Sequence, residues 1–264
     1  MHVVTSYLRG GLGNQLFMQA AAYGYAREHG IQCALAHANQ TVHSKEDYTQ
    51  TVFGAFHHTY QAVSGLFSEP AAAAVGTCLR IPPPPLPFKE QEPWHLALCG
   101  YFQDERYLGA FVDDYIGLLR LPNVQSDHDN TCFIHVRRND YLLPKNAVHN
   151  VDLGEYYPQA IAHVTQRRPQ AKFLVFSDDI AWCKAHDLFR GMEFCEEAHE
   201  VTALVMMSRC MVGGITANSS FSWWGAFLNR NPEKIVVYPS VWFGNGEKAV
   251  PSTLPFGGPK PQQQ

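Results

Sequence analysis

Charge, long apolar runs and paired cysteines are all scarce in this 264-residue chain. Asp, Glu, Lys and Arg together make up 17% of it, and the formal net charge is −4. A mildly acidic chain has no general attraction for nucleic acid or an anionic membrane, so any polyanion site must be built locally. No apolar run reaches the roughly 18 residues of a membrane span, so no integral membrane segment is expected. The opening "MHVVTSYLRGG" has no basic stretch followed by an apolar run and a cleavage site. It is expected to run straight into a strand. The seven cysteines (33, 78, 99, 132, 183, 195 and 210) are dispersed and form no CxxC pair. Such a set fits reduced, buried thiols and a cytoplasmic setting better than a disulfide framework. There are thirteen histidines, yet His57-His58, His128, His135 and His149 make no zinc-ligand pattern such as HExxH. Neither a structural metal nor a cofactor is expected.

What is present is alternation. "HVVTSYL" (2–8) reads as a strand, "NQLFMQAAAYGYAREHG" (14–30) as a helix that Gly30 stops, and "IQCALA" (31–36) as a second strand. The rhythm returns after residue 130. "TCFIHV", "KFLVFS", "MEFCE", "MVGGIT" and "KIVVYP" read as strands, separated by four helical stretches. Strands that alternate with helices imply parallel sheets covered on both faces, hence an α/β protein. The proline-rich "LRIPPPPLPFKEQEP" (79–93) reads as a stiff surface crossing. We expect an N-terminal lobe over 1–125, a C-terminal lobe over 126–256 and a disordered tail over 257–264.

Three stretches carry chemistry. "RGGLGNQLF" (9–17) turns the first strand into the first helix, and Gly11 and Gly13 let backbone approach a ligand there. Leu16 stands where a dinucleotide fingerprint needs its third glycine, and no acidic residue ends the next strand. Both facts argue against NAD. Asn14 and Gln15 offer two amides for hydroxyls or phosphate oxygens. "HVRRNDY" (135–141) puts His135, Arg137, Arg138 and Asp140 at the end of an apolar strand. Arginine binds phosphate bidentately, and neighbours on a strand point apart. One arginine is therefore expected to face a ligand while the other pairs with Asp140 or the scaffold; the alternative is a plain surface ion-pair cluster. "TANSSFSWWGAFL" (216–228) ends a strand in Asn218, Ser219 and Ser220, which suit either a simple helix cap or an anion cradle. Trp223 and Trp224 are core anchors or a wall for a sugar. Asp178 and Asp179, after "KFLVFS", could cap the next helix, bind a ribose or base, or hold a cation. "DHD" (127–129) precedes its strand and so lies at the wrong edge for a metal.

In this order, "GGLGNQLF", "GYFQDERYL" (100–108), "HVRRNDY", "FSDDIAWC" (176–183) and "NSSFSWWGAFL" (218–228) resemble the α-1,2-fucosyltransferases of glycosyltransferase family 11. The resemblance spans residues 3 to about 243. It implies a GT-B-like fold of two Rossmann-like lobes facing a cleft, GDP-fucose as donor, no metal requirement and inversion at the anomeric carbon. Arg137 would then hold the β-phosphate, with His135, Arg138 and Asp140 shaping the site. Asn218, Ser219 and Ser220, with Phe221 beside them, would meet the pyrophosphate. Gly11, Gly13, Asn14 and Gln15 would close over fucose and phosphates, and Asp178 and Asp179 would complete the donor site. The chain departs from the pattern at Asn139, where the family usually has glycine, and at Glu200, the nearest carboxylate to the aspartate commonly found in that helix. His149, Asp140 and Asp152 are the candidate bases. The implied acceptor is the 2-hydroxyl of a terminal β-galactoside. "HSKEDYTQTVFGAFHHTY" (43–60), with Lys45, Glu46, Asp47 and His57, has the polar and aromatic mixture of a sugar face, or of an exposed loop without function. A transferase for another GDP-sugar or acceptor hydroxyl, a GDP-fucose hydrolase, and a non-catalytic GDP-sugar-binding protein are the competing readings. Oligomeric state is not legible.

Overall fold

A computed structural model of the chain describes residues 1–36, 46–68, 93–103, 105–125 and 128–243. The expected proline-rich crossing up to residue 92, Lys45, Asp127 and the tail 257–264 lie outside them. The chain divides into two units, the first ending at Leu121 and the second beginning at Pro122.

In the first unit, β1 (Val3–Ser6) leads into α1 (Leu12–His29), followed by β2 (Gln32–Ala36), β3 (His57–Thr59), β4 (Gly65–Ser68) and β5 (His95–Cys99). Two short helices follow, α2 (Glu105–Leu108) and α3 (Val112–Leu118). The sheet order is β3-β2-β1-β5-β4 and every pairing is parallel. From Leu12 to Ala26, α1 is buried at every position except Asn14. A helix that is apolar nearly all round belongs inside a unit. It ends at Gly30, whose left-handed φ of 65° sends its N–H back to Ala26 O. Helix and sheet are also tied by polar groups: Ser6 Oγ donates to Gln19 Oε1 (3.0 Å), and Gln19 Nε2 donates to Cys33 Sγ (3.3 Å).

The second unit runs β6 (Thr131–Val136), α4 (Tyr156–Arg167), β7 (Lys172–Ser177), α5 (Ile180–Ala185), β8 (Glu193–Phe194), α6 (Glu200–Arg209), β9 (Gly213–Ile215), α7 (Ser220–Phe227) and β10 (Ile235–Val237). Its order is β10-β9-β6-β7-β8, again parallel throughout. Cys132, Ile134, Val175, Val164 and Ile215 pack between sheet and helices. The helical stretch between β7 and β8 breaks at His186, whose extended ψ of 126° separates α5 from a 3-10 turn at Asp187–Phe189. Trp223 and Trp224 are 1% and 0% exposed, which makes both core anchors and neither a sugar wall.

The two glycines of β9 exist for packing. A Cβ on Gly214 would lie 2.1 Å from Phe133 Cε1, and one on Gly213 would lie 1.9 Å from Ile235 O. Phe133 is fully buried and cannot swing away. Gly214→Ala is therefore expected to cost about 1–3 kcal/mol of stability by overpacking. The check is a urea midpoint that falls with an unchanged slope. An unshifted midpoint would mean the Phe133 ring is free to yield.

Candidate functional site

In an open parallel sheet, ligands bind beyond the carboxyl ends of the strands, where the strand order reverses. The second sheet reverses at β6: the chain builds β7 and β8 on one side, then crosses to β9 and β10 on the other. The loops after β6, β7 and β9 therefore share one edge, and all three chemistry-bearing stretches of this unit lie on them.

Arg137 leaves β6 with its Nη2 2.6 Å from Asp140 Oδ1 and its Nε 3.3 Å from Asp178 Oδ2. Its guanidinium also lies 5.5 Å from the centre of the Tyr141 ring. Arg138 turns the other way. Its backbone N–H donates to Asp178 Oδ1 (2.8 Å) and its Nε to Asp179 Oδ2 (3.2 Å). Its guanidinium lies 3.8 Å over Trp182, a cation–π contact worth up to about 2 kcal/mol where water is excluded. Asp179 Oδ1 accepts from Trp182 N (3.1 Å) and caps α5. Three of the four carboxylate oxygens of Asp178 and Asp179 accept hydrogen bonds, and the fourth, Asp178 Oδ2, is ion-paired with Arg137 without a hydrogen bond among the described residues. Of the alternatives open for this pair, the geometry is that of a cap and an arginine brace. Both arginines are ion-paired, where the strand alternation predicted one; the difference arises because Asp178 stands between them. Asn139 begins a 3-10 turn (Asn139–Leu142), and no left-handed φ is found there.

The strand after the crossing delivers Asn218 and Ser219, both buried. Asn218 Nδ2 donates to His149 O (3.0 Å) and to Trp242 O (2.9 Å), so its amide hydrogens hold two loops. Tyr141 OH donates to Asn218 O (3.0 Å). Burial pushes the Tyr141 phenol up to about 12, against the pull of Arg137. Ser219 is the N-cap of α7 and Ser220 its first residue; the Ser219 side chain makes no capping hydrogen bond. The N–H groups of the first turn thus keep the dipole end that favours an anion. The Phe221 ring lies 5.7 Å from that of His135. Glu200 opens α6 at this same carboxyl edge.

His135 is 4% exposed, and its Nδ1 has no partner among the described residues. Burial, helped by Arg137, pulls its pKa down to about 3, so it is neutral at physiological pH. His149 is half-buried, its ring stacked 5.3 Å from Tyr141 and tilted 5.6 Å from Phe243. Burial lowers its pKa, with Asp140 opposing. Asp152 is exposed, and its Oδ1 accepts from Gly154 N (2.9 Å) in a local turn. Tyr141 and Trp182, which set the two arginines, carried no role in the sequence reading. The available signal was their spacing, four residues after Arg137 and three after Asp179.

In the first unit the glycine turn is at the carboxyl end of β1. Gly10 has a φ of 75°, and a Cβ there would be 2.6 Å from Asn14 Nδ2. Gly11 is the exposed N-cap of α1, without a side-chain cap, and Gly13 is buried in its first turn. Asn14 Oδ1 accepts from Gln103 Nε2 (2.7 Å). Gln15 is fully buried and donates to Gly10 O (2.8 Å), an inward strut for the turn. In the stretch from Glu46 onward, part of the aromatic content turns inward. Tyr48, Val52 and Phe53 are fully buried because the turn closes over α1 and α3, and their aromatic character serves the core. Asp47 Oδ1 accepts from Thr49 N and Oγ1, and Glu46 Oε1 accepts from Thr51 Oγ1. His57 is exposed and begins β3, where the register pairs it with Ala34 in the middle of β2. Among the described residues no group of three or more His, Cys, Asp or Glu could hold a metal ion.

A family model described as "Glycosyl transferase family 11" matches residues 100–244. The O-antigen biosynthesis glycosyltransferase WbnK of Escherichia coli is 30% identical over 174 residues, 58% of this chain and 57% of that protein. The chain thus matches a little over half the length of that relative. An α-1,2-colitosyltransferase of Escherichia coli is 26% identical over 275 residues, 94% of each chain. Among solved structures, the fucosyltransferase NodZ from Bradyrhizobium aligns at a TM-score of 0.46 and 13% identity, over 86% of this chain and 93% of that one.

Neutral, buried His135 makes stability pH-dependent. The unfolded histidine takes up a proton near 6.5 while the folded one does not until about 3. Stability present above 6.5 is therefore lost as pH falls through that window, by at most about 1.4 kcal/mol per pH unit. Urea unfolding at several pH values should show this slope flattened in His135→Gln. Equal slopes in the two proteins would contradict the assignment.

Proposed function

Because the chain belongs to glycosyl transferase family 11, we propose that it is an inverting glycosyltransferase that moves L-fucose from GDP-β-L-fucose to the 2-hydroxyl of a terminal β-galactoside. The observation that carries this reading is the edge of the second sheet. Two oriented guanidiniums and the N-terminus of α7, whose N-cap side chain makes no capping bond, meet there, a combination suited to a departing diphosphate.

As the bond from the sugar's C1 to the β-phosphate oxygen breaks, negative charge grows on GDP and the ring becomes oxocarbenium-like. Arg137 is the group for the leaving oxygens, exchanging its Asp140 and Asp178 contacts for phosphate. Arg138, fixed by Asp179 and Trp182, keeps that end of the loop in place. Ser219, Ser220 and the first N–H groups of α7 add dipoles that need no rearrangement as charge develops. Gly11, Gly13 and Asn14 would serve the sugar and phosphates from the first unit.

The acceptor oxygen attacks C1 from the face opposite GDP and must lose its proton. Asp140 is held by Arg137 and Asp152 by its own turn, whereas the His149 ring is held only by stacking and is neutral at pH 7. We assign the base to His149. The α-1,2 linkage is supported by the full-length relative, an α-1,2-colitosyltransferase. The same relative favours a second reading of the donor, since colitose is fucose without its 3-hydroxyl; GDP-colitose belongs in any donor screen. No helix among the described residues is long and apolar enough to cross a membrane, and the described cysteines are free, which supports work in a reducing compartment such as the cytoplasm.

With GDP-fucose and lactose, NMR of the product should show α-fucose on O2 of galactose, and turnover should survive EDTA. Fucose on O3 or on glucose would refute the linkage. Activity lost to EDTA and restored by manganese would refute a diphosphate held by arginine alone.

His149 must be unprotonated to act, so kcat/KM should fall with falling pH along a limb centred below the ordinary 6.5. His149→Ala should cut kcat by about 10²–10⁴ and remove that limb. A variant that keeps the wild-type limb would return the role to Asp140.

A further inference from the structure

The first sheet has its own switch point, and the donor reading, which uses Gly11, Gly13 and Asn14 there, leaves Tyr7, Arg9 and Tyr101 without a role. The chain builds β2 and β3 on one side of β1, then β4 and β5 on the other, so the loops after β1 and β5 open side by side at the carboxyl edge. That is the ligand position of such a sheet. Tyr7 follows β1, its N–H on Leu98 O (2.9 Å), and is 42% exposed. Tyr101, two residues past β5, is also 42% exposed. The exposed Arg9 lies with its guanidinium 4.6 Å from the centre of the Tyr101 ring. Single rings in water are ordinary. Two that follow neighbouring strands at one sheet edge, with a guanidinium stacked on one of them, form a surface.

The backbone beneath Tyr101 points the same way. Phe102 has a φ of 49°, the left-handed region, as no other described non-glycine residue does. Its ring is fully buried edge-on against Tyr107 at 5.2 Å, and the next residue, Gln103, is bonded to Asn14 in the first turn of α1. The inner side of this loop is locked in an unfavourable conformation while its outer residue remains in solvent. Strain held by surrounding packing is a mark of ligand loops.

We propose that Tyr7, Arg9 and Tyr101 form a carbohydrate platform that receives the acceptor sugar. This rests on the glycosyltransferase reading above. A pyranose presents an apolar C–H face that a tyrosine ring can cover and a rim of hydroxyls for phenol and guanidinium. Stacking on Tyr101 pre-orients the planar fork of Arg9, so less freedom is lost when it meets vicinal hydroxyls. A nucleotide diphosphate fits less well here, since it calls for the clustered guanidiniums of the β6 loop. The platform is an alternative to the 43–60 stretch, where Tyr48, Phe53 and Phe56 are in the core and Tyr60 is exposed.

The test uses the full chain, methyl β-galactoside and lactose as probes, and the variants Tyr101→Ala, Tyr101→Phe and Arg9→Gln. Tyr101→Ala should raise the acceptor KM by about tenfold or more and abolish saturation-transfer NMR signals from both probes in the presence of GDP. Arg9→Gln should raise the acceptor KM by a smaller factor, and Tyr101→Phe should stay close to wild type. The KM for GDP-fucose, and the slow hydrolysis of GDP-fucose without acceptor, should change by less than about twofold, as expected of a site that does not touch the donor. Since Arg9 is exposed, Arg9→Gln reports on the platform even if Tyr101→Ala does not fold. An unchanged acceptor KM in both, a rise in donor KM instead, or no binding of either probe to the wild type would overturn the platform. Failure of the transferase reading looks different: the wild type would bind the probes through Tyr101 yet transfer no sugar.

Discussion

Adjacent arginines repel each other, and side chains leaving a strand in succession point apart. Asp178 meets both conditions, accepting the Arg138 backbone N–H on one oxygen and lying 3.3 Å from Arg137 Nε with the other. It comes from β7, the direct neighbour of β6, so the parallel pairing that runs up to His135 and Val136 also sets the distance between these charges. An exposed ion pair contributes little. This one is only 33% and 16% exposed at its two side chains, and it is cross-linked through Asp140, Asp179, Tyr141 and Trp182. The result is an edge on which both guanidiniums are held in place by carboxylates, and a diphosphate is received by an exchange of Arg137 partners.

The same logic orders the rest of the chain. Each unit is a parallel sheet whose strand sequence reverses once, at β1 and at β6, and each reversal opens two loops side by side. In the second unit these loops carry charge and helix-capping residues, the chemistry of a diphosphate. In the first they carry glycine, amide, phenol and a single stacked guanidinium, the chemistry of hydroxyl-rich ligands. The proposed division between a diphosphate site and a sugar platform rests on which residues follow which strands.

Much of the second unit was legible in its sequence because β6, β7 and β9 are buried on both faces and read as continuous apolar runs ending in polar residues. The donor-side stretches stood out for the same reason: charge at the end of a buried strand has to be explained. The first unit was less legible beyond residue 36. Its β3 and β4 are three- and four-residue strands of unremarkable composition, "HHT" and "GLFS", and only pairing with neighbours makes them strands. The 43–60 stretch read as a sugar face or an exposed loop without function, because an aromatic among polar residues has the same pattern whether it meets a ligand or solvent or, like Tyr48 and Phe53, plugs a core. Asp178 and Asp179 read equally well as ligand groups or caps, since short acidic side chains serve either end. Their contacts with two arginines and a tryptophan come from the fold, and no local pattern encodes them.

The central claim is that the Arg137 guanidinium exchanges its carboxylate partners for a diphosphate. Calorimetric titration of GDP into the wild type and into Arg137→Gln tests it without depending on any acceptor. The wild type should bind, and the variant, with an unchanged circular dichroism spectrum, should bind about 30-fold more weakly or worse, the loss expected when one partner of a partly buried charge pair is removed. Equal affinity for GDP in the two proteins, or no binding by the wild type, would contradict the account.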